Sequence, residues 1–384
     1  MNVDRDELVS LTAALVGKPS ENPPGDERRV VDALLERLDR SPIEFDVETH
    51  EALPDRENVV ARAGNSDRGS VLLTGHTDVV PAAADDWSGD PYELREEDGH
   101  LVGRGAADMK GALATKIVAA ESYLASTDDP GEVILAFVVD EEWDGKGTQT
   151  LVERGLTADY AIIGEPTRLQ TCVAQKGVAR YELAVRGVSA HSGTPQEGED
   201  AVLAAGRLLT AFESMNEELE TETSHALLAP ETITVTEITG GTAPNVVADR
   251  ATLTVDWRFL PGHDRSPERF DERVSRLIRE TDLGADVEVS VERLVFARAG
   301  EIDPGHELVE TAVESAADVG VESAPVGFNA ATDARFLLHD AEIPTVLFGP
   351  GSIADDAHTV DESVAVSELE ATAKTYRRAL DRLL

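Results

Sequence analysis

The stretch "TGHTDVVP" places His76 and Asp78 two residues apart, directly behind the apolar run "SVLLT". Other polar groups follow other apolar runs. Asp140, Glu141 and Glu142 follow "EVILAFVV", Glu165 follows "ADYAIIG", and His358 follows "IPTVLFG" after a glycine-rich loop. Asp108 sits in "GRGAADMKG", whose glycines permit close backbone approach. Several carboxylates gathered in one crevice repel each other unless cations separate them. Neutral His76 and His358 with ionised Asp108, Glu142 and Glu165, plus one bridging hydroxide, balance two dications. Imidazole and carboxylate without sulfur suit two Zn2+ ions, with Co2+ or Mn2+ as substitutes. Asp78 then fits a supporting role, accepting the N–H of His76 and fixing which ring nitrogen faces the metal. Neighbouring side chains on an extended segment diverge, so of Glu141 and Glu142 one can bind metal while the other stays free.

Each piece alone has a plainer reading. A His-x-Asp pair is often structural, paired glutamates commonly form a solvated face, and the single histidines His50, His100, His225, His263, His306 and His339 read as structural. What distinguishes the others is their position behind successive strands. Open parallel sheets bind ligands outside the carboxyl ends of their strands, where these side chains converge.

The elements that must hold them alternate as an α/β protein requires. The strand candidates are continuous apolar runs, which predicts a parallel sheet covered on both faces. Helical periodicity marks "RRVVDALLERLDR", "GALATKIVAAESYLA" and the final "SVAVSELEATAKTYRRALDRLL". Residues 178–295 read differently: a β-α-β-β-α-β order, the signature of a ferredoxin-like α+β unit. The expected organisation is a discontinuous catalytic α/β domain over 1–177 and 296–384 with a second domain inserted at 178–295. Within the insert, "ESMNEELETETSHALLAPET" reads as a solvated connection.

Bulk properties agree. A chain of 384 residues exceeds one ordinary core. No apolar run approaches the roughly 20 residues of a membrane span, and the start "MNVDRDELVS" is acidic where a secretory signal is basic, so a soluble cytoplasmic protein is expected. Cys172 stands alone and reads as a strand residue without chemistry. There are 75 Asp and Glu against 34 Lys and Arg, a formal net charge of −41, with six lysines only. Such a surface disfavours nucleic acid and anionic lipid as partners. Acid excess over the whole chain with so little lysine fits a salt-rich cytoplasm.

Together, "TGHTDVVP", "WSGDPYELREEDGHLVGRGAADMKG", "FVVDEEWDGKGTQTL", "IIGEPT" and the late "AHTVDE" resemble the di-zinc metallopeptidase and aminoacylase family, which includes acetylornithine deacetylase, succinyl-diaminopimelate desuccinylase and glutamate carboxypeptidase. The resemblance spans nearly the whole chain. It implies a zinc-dependent catalytic domain with an inserted lid that forms a homodimer. It makes Asp108 the bridging ligand, with His76 and Glu165 completing one site and Glu142 and His358 the other. Glu141 becomes the general base for amide hydrolysis, and the Asp108–Met109 bond is expected to be cis. In the insert, "RGVSAHSGTP" points to His191 as a group reaching the partner's active site, and "GGTAPNVVADRATLTVDWRF" points to Asn245 and Arg258 as holders of the substrate carboxylate. Glu165 follows the family's deacylases, so an N-acyl amino acid is the expected small-molecule substrate. A carboxypeptidase or dipeptidase acting on a short peptide is the alternative, and a non-catalytic scaffold the third reading. Ala330 and Ala331 stand where the desuccinylase has a Gly-Thr pair, which leaves recognition of the acyl side open.

Overall fold

The computed structural model describes residues 3–262 and 265–384; His263 lies outside the described residues. The chain divides into two compact units, one of Met1–Val173, Ile302–Val326 and Thr332–Leu384, the other of Ala174–Glu301 and Gly327–Ala331.

In the first unit seven strands pair in the order Asp46–Leu53, Arg56–Ala63, Gly131–Val138, Asn65–His76, Tyr160–Ile163, Thr345–Leu347, Thr171–Gln175. The four central strands, Gly131–Val138 through Thr345–Leu347, make three parallel pairings. Val71, Leu72, Leu73, Ile134 and Leu135 are fully buried there, as the continuous apolar runs required. The wholly parallel sheet is corrected at the flanks, where pairing is antiparallel. The outermost strand, "DVETHEAL", is mostly exposed, because an antiparallel edge hairpin needs no helical crossover and can leave one face in water. The helices Gly111–Ser126 and Val366–Leu383 pack against each other over the sheet. The final segment is a helix only from Val366; Ser363–Ala365 forms a short strand paired with His100–Val102. Cys172 is a buried strand residue whose thiol is pushed up to about 12 by burial.

The second unit has an antiparallel sheet in the order Thr232–Gly240, Arg250–Phe259, Gly177–Arg186, Glu288–Ala297, with the helices Ala201–Glu222 and Pro267–Glu280 between strands. Numbering its strands along the chain, this is the 4-1-3-2 arrangement of a ferredoxin-like unit. Tyr181, Leu183, Leu208, Phe212, Trp257 and Phe270 form its core. One expectation fails here: the first ten residues of "ESMNEELETETSHALLAPET" continue the helix to Glu222 instead of forming a connection. Met215 and Leu219 extend the buried stripe begun by Leu208 and Phe212, and that burial outweighs the charge of the intervening glutamates.

Candidate metal centre

His76 closes the strand Asn65–His76, and its ring is 1% exposed. Gly75 before it is required by packing: a Cβ there would lie 2.2 Å from Met109 Cε. The His76 Nδ1 lies 2.9 Å from the Asp78 backbone oxygen. Donation to that carbonyl turns Nε2 toward the crevice, 3.0 Å from Asp108 Oδ1, as the nitrogen that can offer a lone pair to a cation once it sheds its proton.

Asp108 follows Gly105 in a tight turn, with a cis bond to Met109 as expected. The backbone N–H groups of Ala107 and Asp108 both donate to Glu362 Oε1, at 2.9 and 3.0 Å, so a buried carboxylate fixes the turn from behind. Glu362 is itself paired with Arg104 at 2.7 Å. His358 Nε2 lies 3.4 Å from Asp108 Oδ2 and 3.1 Å from Glu142 Oε1. Among the described residues, ligand atoms of His76, Asp108 and Glu142 all lie within 4.8 Å of one another.

The role expected of the Asp78 side chain shifts. Its carboxylate is 3.7 Å from His76 Nδ1, too far for a hydrogen bond, and the backbone oxygen serves the ring instead. The carboxylate accepts from the backbone N–H groups of Glu141 at 3.2 Å and Glu142 at 3.1 Å. Asp78 therefore orients the ring with its main chain and the Glu141–Glu142 turn with its side chain.

Buried negative charge dominates the electrostatics. Burial, reinforced by Asp108, pushes the Glu165 carboxyl up to about 8, and its Oε1 has no hydrogen-bond partner. Burial and then Glu165 raise Glu141 well above the usual carboxylate range, and burial also raises Glu142. Hydrogen bonds to Asp108 and Glu142 raise His358 to about 10. For Asp108, burial acts upward but the hydrogen bonds from His358 and His76 prevail and hold it well below its ordinary range. Protons thus stand between groups that a cation would otherwise join. Ligands must shed them to bind metal, so this proton-hungry cluster with an orphaned carboxylate oxygen fits a cation site.

His191, Asn245 and Arg258 belong to the second unit. His191 is exposed and its Nδ1 accepts from the Gly193 N–H at 3.0 Å, which leaves the proton on Nε2. The Asn245 backbone oxygen accepts from Ser192 N, and Arg258 donates through Nε to Asp256 at 2.6 Å.

Sequence reasoning passed over several buried groups around the centre. Asp333 is 2% exposed, accepts from Thr148 Oγ1 at 2.6 Å, and is raised by burial to about 6. Arg335 donates to the Asp144 carbonyl at 2.9 Å, bracing the same turn. Lys116 is fully buried, 3.1 Å from the Tyr376 hydroxyl, and burial holds its ammonium well below the ordinary lysine range. The segment "FNAATDARFL" around Ala330 and Ala331 also holds Asp333 and Arg335, and a charged pair opening a helix after a small-residue run was the available signal.

The profile of Peptidase family M20/M25/M40 matches residues 72–382. The succinyl-diaminopimelate desuccinylase of Cereibacter sphaeroides is 33% identical over 391 residues, covering 97% of this chain and 97% of its own. That of Magnetococcus marinus is 31% identical over 392 residues, covering 98% of each. Among solved structures, a tripeptidase from Staphylococcus aureus superposes with a TM-score of 0.80 at 22% identity, covering 99% of both chains. An M20 family metallo-carboxypeptidase from Sulfolobus solfataricus gives 0.79 at 18% identity, again over 99% of both. With that match over most of its length and a His/Asp/Glu cluster able to hold metal, the chain belongs to peptidase family M20/M25/M40 and is a metal-dependent hydrolase.

Proposed function

We propose that the protein hydrolyses the amide bond of N-acyl amino acids with two zinc ions held by His76, Asp108, Glu142, Glu165 and His358. The observation that carries this reading is the convergence of His76, Asp108 and Glu142 beside Glu141, a raised carboxyl on the same turn. When bound, the metals supply Lewis-acid polarisation of the carbonyl and the charge that lets water act as a nucleophile near neutral pH. The chain's own groups do the rest. Glu141 accepts the proton of the attacking water and returns it to the departing amine. The Nε2–H of His191 donates to the developing oxyanion. Asn245 and Arg258 hold the carboxylate of the amino acid, Arg258 being steadied by Asp256. The curated desuccinylase relatives and Glu165 favour an acyl amino acid over a peptide.

Amine release from N-acetylornithine, N-succinyl-diaminopimelate and simple dipeptides, measured in molar salt, tests this directly. The acyl amino acids are expected to turn over faster, with activity lost to a chelator and restored by zinc or cobalt. Faster dipeptide cleavage would move the protein to the peptidase branch.

The same reading includes a homodimer in a salt-rich cytoplasm, built through the second unit. Val202, Leu203 and Leu209 on the helix Ala201–Glu222, and Ile238 on the edge strand Thr232–Gly240, are exposed. Exposed apolar side chains beside an unpaired strand edge are features of an association surface. If His191 serves the partner's centre, mixing His191→Ala chains with Glu141→Gln chains is expected to restore part of the activity that each lacks. Confirmed mixed dimers with no recovery would exclude sharing. Among the described residues, no helix is long and apolar enough to cross a membrane.

A further inference from the structure

The turn Asp140–Gly145 carries both glutamates of the centre, and something must hold it against its own charge. Asp140 has φ +71°, a left-handed conformation unusual for a residue with a side chain, and its carbonyl accepts from Asp144 N at 3.1 Å and Gly145 N at 2.6 Å. Its carboxylate, 2% exposed, faces inward toward that of Asp78, which is fully buried. Two buried carboxylates on adjacent loops repel, so the loops need a bridge.

One side chain supplies it. Asn22 Nδ2 donates to Asp78 Oδ2 at 2.8 Å and to Asp140 Oδ1 at 3.1 Å. Asn22 is 4% exposed and comes from a part of the chain remote in sequence from every proposed ligand. Its placement is fixed by two main-chain bonds and one hydroxyl along the Asp78 loop: Asn22 N donates to Val79 O at 2.9 Å, Val79 N to Ser20 O at 3.0 Å, and the Ser20 side-chain Oγ to Thr77 O at 2.7 Å. Charge is balanced from the other side. Arg56 Nη1 lies 2.9 Å from Asp140 Oδ1, while its Nε donates to Glu27 Oε2 at 2.7 Å and its Nη2 to Glu27 Oε1. Glu27 is fully buried. Gly25, at φ +88°, leaves the space that the guanidinium occupies; a Cβ there would lie 2.5 Å from Arg56 Cζ.

We infer that Asn22 and Arg56 are positioning residues that set the Glu141–Glu142 turn relative to the Asp78 loop, and so relative to His76. This rests on the reading of Glu142 as a metal ligand and Glu141 as the base. Asp78 is the point of transmission, since the carboxylate that Asn22 grips also accepts the Glu141 and Glu142 N–H groups. Without the amide bridge the two carboxylates spread and the turn moves with them. Arg56 supplies the only positive charge in contact with Asp140 among the described ion pairs.

The test uses the full-length protein in molar salt, with Asn22→Ala and Arg56→Lys, the latter keeping the charge but losing the fork. Cobalt binding is followed by equilibrium dialysis and by its visible absorption, and kcat and KM are measured on the best substrate of the panel above. Supporting residues behind metal ligands are typically worth about 10–100-fold in affinity or activity. Each variant is expected to weaken one of two cobalt equivalents by that range, alter the cobalt spectrum, and lower kcat with KM unchanged. Wild-type cobalt affinity and kcat in a folded variant, or a raised KM with kcat intact, would overturn the assignment. Should Asn22→Ala not fold, Asn22→Ser carries the same two outcomes, its side chain being too short to span both carboxylates. A wild-type chain that binds no cobalt sinks the metal centre itself; normal wild-type binding with unaltered variants sinks only the positioning role.

Discussion

Glu141→Gln is expected to retain its metals and lose about 10²–10⁴-fold in kcat, the range that a positioned proton carrier contributes. The two glutamates share one turn, and Asp78 receives both of their N–H groups, so the substitution leaves the main-chain framework in place. Glutamine matches glutamate in size and cannot take a proton from water. Glu142, by contrast, lies 3.1 Å from His358, and replacing it removes a proposed ligand. The pair therefore gives opposite signatures: Glu141→Gln costs turnover with metal kept, and Glu142→Gln costs metal. Proton affinity argues the same way. Burial and the Glu165 charge raise Glu141, the direction a base working near neutral pH requires, while His76 opposes them. Turnover in Glu141→Gln within a few-fold of wild type, at equal zinc content, would remove Glu141 from the role of base.

The parts of this arrangement that the sequence displays are those where one chemical demand dominates a run of residues. Strands buried on both faces must be apolar throughout, so Val71–Leu73 and Val133–Val138 announce themselves, and the polar groups just past them mark the sheet's carboxyl end. The edge strand Asp46–Leu53 has no such signature, because most of its side chains are exposed, and the buried run 58–61 of its partner Arg56–Ala63 is only four residues long and opens on a polar asparagine. The helix end at Met215–Glu222 was obscured in the same way, two buried side chains among many glutamates. At the centre, residue type and strand position suffice to gather His76, Asp108 and Glu142. What holds them is not periodic. Asn22 and Arg56 meet Asp140 across 118 and 84 positions of chain, and nothing in either local sequence signals that contact. The Asp78 carboxylate illustrates a finer limit: His-x-Asp spacing suggests a direct side-chain pair, but the chain turns after the strand and presents the carbonyl to the ring instead.

Transfer from molar salt to about 0.01 M is expected to unfold the protein, with metal release accompanying loss of structure. The interaction between two like charges 10 Å apart in water is only about 0.4 kcal/mol. A net charge of −41 contains so many such pairs that their sum rivals the roughly 5–15 kcal/mol by which domains are stable. At 0.01 M the screening length is about 30 Å and most pairs are felt; at 1 M it is about 3 Å and few are. Local cations do little to relieve this. Of the six lysines, Lys110, Lys116 and Lys176 are buried, so the surface is left to Lys18, Lys146, Lys374 and the arginines. Many exposed arginines are already engaged, as Arg279 is with Glu272 and Arg382 with Glu314 and Asp318. The tail of the helix Ala201–Glu222 concentrates the strain: Glu213–Glu217 and Glu218–Glu222 are like-charge pairs four apart, at the end where the helix dipole already disfavours anions. Circular dichroism and thermal melting across a sodium chloride series, at fixed pH and zinc, should show this helix and its unit fraying first as salt falls. Replacing Glu217, Glu218 and Glu222 with glutamine should shift the midpoint to lower salt, because it removes both repulsive pairs without touching Met215 or Leu219. An unchanged melting temperature from 1 M to 0.01 M would show that the acidic surface is tolerated without screening, and the salt-rich cytoplasm would lose its physical basis.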